Sequence, residues 1–154
     1  MAAIGAGGIV SGANPAYTVP ELVHHLTITN TRFIIAQEEC LANIADAARQ
    51  CGIPDHCIFV FGLAEELQHD PVTYQSWKVL LRFGEQDWIR IEDEKKQEST
   101  IAALSSTSGT TGLPKAAQVS HHYLVAQSTM IQEQKRGSRH KACQIHSTFV
   151  KIYS

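Results

Sequence analysis

The chain has 154 residues, 44% of them hydrophobic, and a formal charge of -2. This length and composition allow one globular domain with a moderate core, and the near-balanced charge excludes a partner chosen by bulk charge, such as nucleic acid or an anionic membrane. The charge is nevertheless uneven: residues 1–134 hold all fifteen acids against eight Lys and Arg, whereas 135–154 hold five basic residues and no acid.

Met1 to Val10 is apolar but holds three glycines and no basic n-region, so it does not read as a signal peptide. No run approaches the length of a membrane span. Ile9-Val10 predicts a short strand ending at the turn residues Ser11-Gly-Ala-Asn-Pro15. A helix follows, because Thr18 and Glu21 have capping-box spacing and Leu22, Val23 and Leu26 supply an apolar stripe. The apolar, β-rich run Arg32 to Ala36 predicts a strand covered on both faces. Leu41, Ile44, Ala45 and Ala48 recur at helical spacing, and Gly52 with Pro54 closes that helix. Cys57 to Phe61 predicts the next strand. Short apolar strands alternating with helices of this length are what βαβ units require, so the expected fold is α/β with a mostly parallel sheet.

Beyond Gly62 the pattern weakens. Ser76 to Arg82 suggests a short amphipathic helix, and Ile91 to Glu98 a charged, exposed connection. Ile101 to Ser105 and Ala116 to Val119 predict two strands flanking a Gly/Ser/Thr-rich loop, and Ser120 can cap a helix over 121–134. The four cysteines form no C-x-x-C pair, so neither a zinc site nor a disulfide framework is expected. His24-His25 and His121-His122, with Cys57 and His69, invite a metal reading, but adjacent helical residues point apart and no ligand spacing recurs. Trp77 and Trp88 are expected to pack locally or sit half exposed, and the basic tail lacks the aromatic interleaving of a nucleic-acid module.

The stretch Thr107-Ser-Gly-Thr-Thr-Gly-Leu-Pro-Lys115 places four hydroxyls, two glycines and a lysine within nine positions. That inventory suits a polyphosphate: glycines let backbone N–H groups approach an anion, hydroxyls donate further bonds, and a lysine adds positive charge. It is not a Walker A loop, because the spacing is G-x-x-G-x-P-K and an extended segment rather than a helix follows. By composition alone the stretch would be a solvated linker; the order of its residues decides otherwise.

From Leu104 to Lys115 the segment resembles, position for position, the signature loop of the adenylate-forming (AMP-binding) enzymes, which include acyl-CoA synthetases and 4-coumarate-CoA ligases. Gly7 to Thr18 with Glu21-Leu22, and Lys115 to His122, resemble the flanking regions of the CoA-ligase branch, fungal members above all, over roughly residues 1–134. One departure is Ala116, where many members have glycine. The resemblance implies a partial adenylate-forming N-terminal domain over 1–134, followed by a divergent, disordered tail over 135–154. It implies that Thr107, Ser108, Gly109, Thr110, Thr111, Gly112 and Lys115 hold the β- and γ-phosphates of ATP with its Mg2+. The implied reaction activates a carboxylic acid as an acyl-adenylate and transfers it to CoA. The family's adenine, ribose, Mg2+ and mobile-lysine motifs are not found in these residues, so no catalytic residue is assigned and the chain is expected to be inactive alone. The alternative is a non-catalytic nucleotide-binding or interaction fragment. An intracellular location, cytoplasmic or peroxisomal, is expected, although Ile152-Tyr-Ser154 is not a peroxisomal signal.

Overall fold

A computed structural model describes residues 2–62, 74–107, 114–137 and 150–153, with 134–137 and 150–153 as backbone. The chain runs α1 (Ala2–Gly5), β1 (Val10–Ala13), α2 (Val19–Ile28), β2 (Phe33–Ala36), α3 (Leu41–Gln50), β3 (Ile58–Val60) and β4 (Gln75–Ser76). It continues through α4 (Glu94–Ser99), β5 (Ile101–Thr107), β6 (Lys115–Ser120), α5 (His121–Gly137) and β7 (Val150–Tyr153).

The strands form one sheet of order β4-β3-β2-β7-β1-β5-β6. Pairings β1/β5, β2/β3 and β3/β4 are parallel, whereas β7 runs antiparallel to β1 and β2 and β6 antiparallel to β5. This is the mixed α/β architecture with βαβ units that the alternating apolar runs predict. Residues 150–153, within the stretch expected to be a disordered tail, form a strand between β1 and β2.

Local chemistry sets the helix boundaries. The Glu21 carboxylate accepts from the Thr18 backbone N–H at 2.8 Å and from its hydroxyl at 2.7 Å, fixing the start of α2. Those bonds also hold the exposed Glu21 carboxyl below the usual carboxylate range. At its end Asn30 takes φ 49, and Thr31 N–H reaches back to the Leu26 carbonyl at 3.0 Å. α3 closes in the same way, with Gly52 at φ 73 and Ile53 N–H bonded to the Ala48 carbonyl at 2.9 Å, a Schellman arrangement that turns the chain toward β3.

Leu22 and Leu26 of α2 and Ile44, Ala47 and Ala48 of α3 pack with Ala13, Ile34, Ala36 and Ile58 of the strands into the main core. Ile34 and Ile58 are fully buried, and each such side chain contributes roughly 1.5–3 kcal/mol relative to exposure. One expectation is corrected here. The short helix expected over Ser76 to Arg82 is present as a 3-10 helix, Trp77–Phe83, whereas Glu94–Ser99, expected as a connection, is a short α-helix capped by the Asp93 carboxylate. Trp77 stacks on Phe61 with ring centroids 5.2 Å apart, while Trp88 lies against Gly5 and is more than half exposed.

Candidate polyphosphate site on the β5–β6 hairpin

The two predicted strands flanking the Gly/Ser/Thr segment pair with each other. Their register runs from Ile101 opposite Ser120 to Thr107 opposite Lys115, with one irregularity between Ile101 and Ala103. Thr107 and Lys115 therefore stand side by side at the point where the strands part, and the Thr107 hydroxyl donates to the Lys115 carbonyl at 3.3 Å. Both side chains are exposed. Among the described residues Lys115 has no carboxylate partner, so its ammonium is available to an anion. The other expected ligands, Ser108, Gly109, Thr110, Thr111 and Gly112, lie outside the described residues.

β5 is anchored on one side by β1 and on the other by β6, and β6 ends the sheet. Beneath β5 lies a polar group whose hydrogen-bond partners the sequence did not reveal. His25, on α2, is 2% exposed. Its Nε2 is 3.1 Å from the Ser11 Oγ of β1, and its Nδ1 is 3.2 Å from the Ser106 Oγ of β5. The Ser11 hydroxyl donates its one proton to the Leu104 carbonyl at 3.1 Å, so it accepts from an Nε2–H. Nδ1 of that tautomer is an acceptor, and the Ser106 hydroxyl donates to it. Burial pushes the imidazole below its ordinary pKa, and the neighbouring His24 adds to the effect, in keeping with a neutral ring. His24 itself is half-buried, and its Nε2 lies 2.9 Å from the carbonyl of Pro114, immediately before Lys115.

Sequence reasoning weighed these histidines only as metal ligands. Their signal was the adjacency itself: neighbouring helical positions diverge by about 100°, so one reaches β5 and the other the start of β6. Elsewhere, ligand atoms of Glu94, Glu98 and His122 gather within 4.8 Å on α4 and the start of α5, both carboxylates being exposed. A cleft of about 540 Å3 is lined by Ile4, Ile89, Arg90, Lys96 and His121 among others, and neither Thr107 nor Lys115 lines it.

Comparison with known proteins extends the picture. The family described as AMP-binding enzyme matches residues 1–152. An acyl-CoA synthetase of Alternaria alternata is 41% identical over 138 residues, covering 90% of this chain and 24% of that protein. An acyl-CoA ligase of Aspergillus niger is 38% identical over 128 residues, covering 83% of this chain and 24% of the relative. The chain thus spans about a quarter of the length of these curated relatives. Among solved structures, an anthranilate CoA ligase in complex with anthranoyl-AMP is similar with a TM-score of 0.56 and 26% identity over 76% of this chain and 21% of that one. The apo structure of Mycobacterium smegmatis MbtA shares the fold at a TM-score of 0.60 and 20% identity, covering 87% of this chain and 23% of that one.

Proposed function

The chain belongs to the AMP-binding enzyme family, and from that premise we propose that it carries the ATP-phosphate loop of an acid-CoA ligase. In this reading Thr107, Ser108, Gly109, Thr110, Thr111, Gly112 and Lys115 embrace the β- and γ-phosphates of Mg-ATP. A carboxylate oxygen of the acid attacks the α-phosphorus, the bond from that phosphorus to the bridging oxygen breaks, and pyrophosphate leaves. The CoA thiol, giving its proton to solvent, then attacks the acyl carbonyl carbon, the bond from that carbon to the adenylate oxygen breaks, and AMP departs. An anion attacking an anion needs donors and cations to offset repulsion and to stabilise the leaving pyrophosphate. Loop amides, hydroxyls and the Lys115 ammonium supply that.

The observation carrying the reading is the hairpin register, which sets the Thr107 hydroxyl beside an exposed Lys115 that has no carboxylate partner among the described residues, at the mouth of the glycine- and hydroxyl-rich segment. The substrate class is a carboxylic acid. Named relatives act on different ones, a phenylacetyl-CoA ligase and a nicotinic acid-CoA ligase among them, so the resemblance selects no single acid. Within the described residues no helix is long and apolar enough to cross a membrane; a cytoplasmic or peroxisomal location is part of the same proposal. A phosphate loop without adenine, ribose and carboxylate contacts binds weakly and cannot hold a transition state, so the 154-residue chain alone is expected to show little turnover in pyrophosphate exchange.

Thermal denaturation tests the loop directly. Mg-ATP or pyrophosphate should raise the midpoint of the wild-type chain and leave Lys115→Ala unmoved. An equal rise in both would place the ligand elsewhere.

A further inference from the structure

We propose that His24 and His25 act together as a positioning clamp on the two arms of the β5–β6 loop, His24 holding the exit and His25 the entry; this rests on reading the segment as a phosphate site. The two bonds fall one on each arm, on opposite sides of the last strand pair. His25 Nδ1 accepts a hydrogen bond from the hydroxyl of Ser106, one residue before Thr107. His24 Nε2 donates to the carbonyl of Pro114, one residue before Lys115. Ser106 and Pro114 thereby bracket the Thr107/Lys115 pair that closes the hairpin.

The arms need such a tether for different reasons. β5 is already paired on both sides, so His25 adds direction rather than attachment: through Ser11 and the Leu104 carbonyl it ties β1, α2 and β5 into one hydrogen-bonded chain. Among the described residues β6 is an edge strand paired only with β5. At Pro114 the backbone is therefore held to the body of the domain by His24. Proline has no N–H to offer, which leaves its carbonyl as the one backbone group through which that residue can be fixed. The bond orients the Pro114–Lys115 peptide and with it the start of the lysine. Ordering the arms before ligand arrives lowers the entropy lost on binding. A helix offering two adjacent side chains with diverging directions suits two targets on neighbouring strands.

Hydrogen exchange and pyrophosphate titration on the full chain test the clamp, in wild type and in His24→Ala, His24→Gln, Ser106→Ala and Lys115→Ala. His24→Ala should speed exchange of the amides between Thr107 and Lys115, lower the thermal midpoint by about 2–4 °C because the bond is present before ligand arrives, and weaken pyrophosphate binding by up to about fivefold. His24→Gln keeps an N–H donor and should recover most of all three, a rescue that a packing role would not give. Ser106→Ala spares the buried ring and should disturb the entry arm alone, whereas Lys115→Ala should weaken binding without altering exchange. Loop exchange in His24→Ala equal to wild type overturns the clamp. A wild-type chain that binds no pyrophosphate overturns the phosphate reading instead, and the exchange data keep the two failures apart.

Discussion

Acid should loosen this domain at His25. The buried ring is neutral, accepts from Ser106 through Nδ1 and faces His24 and, at a centroid distance of 6.1 Å, Tyr17. An unfolded histidine titrates near 6.5, and burial lowers the folded value. Between the two the unfolded chain binds more protons, so the contribution of His25 is complete above the unfolded value and is lost as pH falls through the folded one. The urea midpoint should therefore drop between about pH 7.5 and about pH 5, and His25→Gln, less stable at the upper pH, should lose less across that interval. Equal losses in both chains would assign the acid sensitivity to another group. A second prediction concerns Gly52, whose φ of 73 is left-handed and around which a Cβ would meet nothing within 4 Å. Gly52→Ala should cost about 1 kcal/mol in urea unfolding, a conformational cost without a clash.

The elements show which parts of the fold the sequence exposes. β2, β3, α2 and α3 are legible because their apolar runs, caps and C-terminal turns are local: Thr18/Glu21 and Gly52/Pro54 each act within a few residues. The hairpin flanks are legible for the same reason. By contrast, the bonds from His24 to Pro114 and from His25 to Ser106 join residues 90 and 81 positions apart, and no periodicity reports such a contact. Val150–Tyr153 has the β-branched and aromatic composition of a strand, but its place between β1 and β2 depends on pairing with Val10–Ala13 and Phe33–Ile35 far upstream. Trp77–Phe83 carries a helical pattern too short to distinguish a 3-10 from an α-helix. The core of these elements gives its own prediction. Ile34→Ala, at a fully buried position of β2, should lower stability by about 2–5 kcal/mol in denaturant unfolding, whereas the same change at the exposed Ile89 should have little effect.

At the scale of the molecule, apolar side chains remain uncovered. Tyr123, Val125, Met130 and Ile131 of α5 are each at least 46% exposed, and Leu81 and Phe83 more so than most. Surface of this kind drives association, so light scattering should show particle size rising with concentration, and Val125→Lys combined with Ile131→Lys should reduce that rise. The central claim, that the segment between Thr107 and Lys115 cradles a polyphosphate, is tested most directly by amide NMR of the labelled chain during pyrophosphate titration. The account predicts that the Gly109 and Gly112 N–H resonances shift most, saturably, and that Lys115→Ala suppresses the shift. Unmoved glycine amides, with the largest shifts elsewhere on the protein, would contradict it.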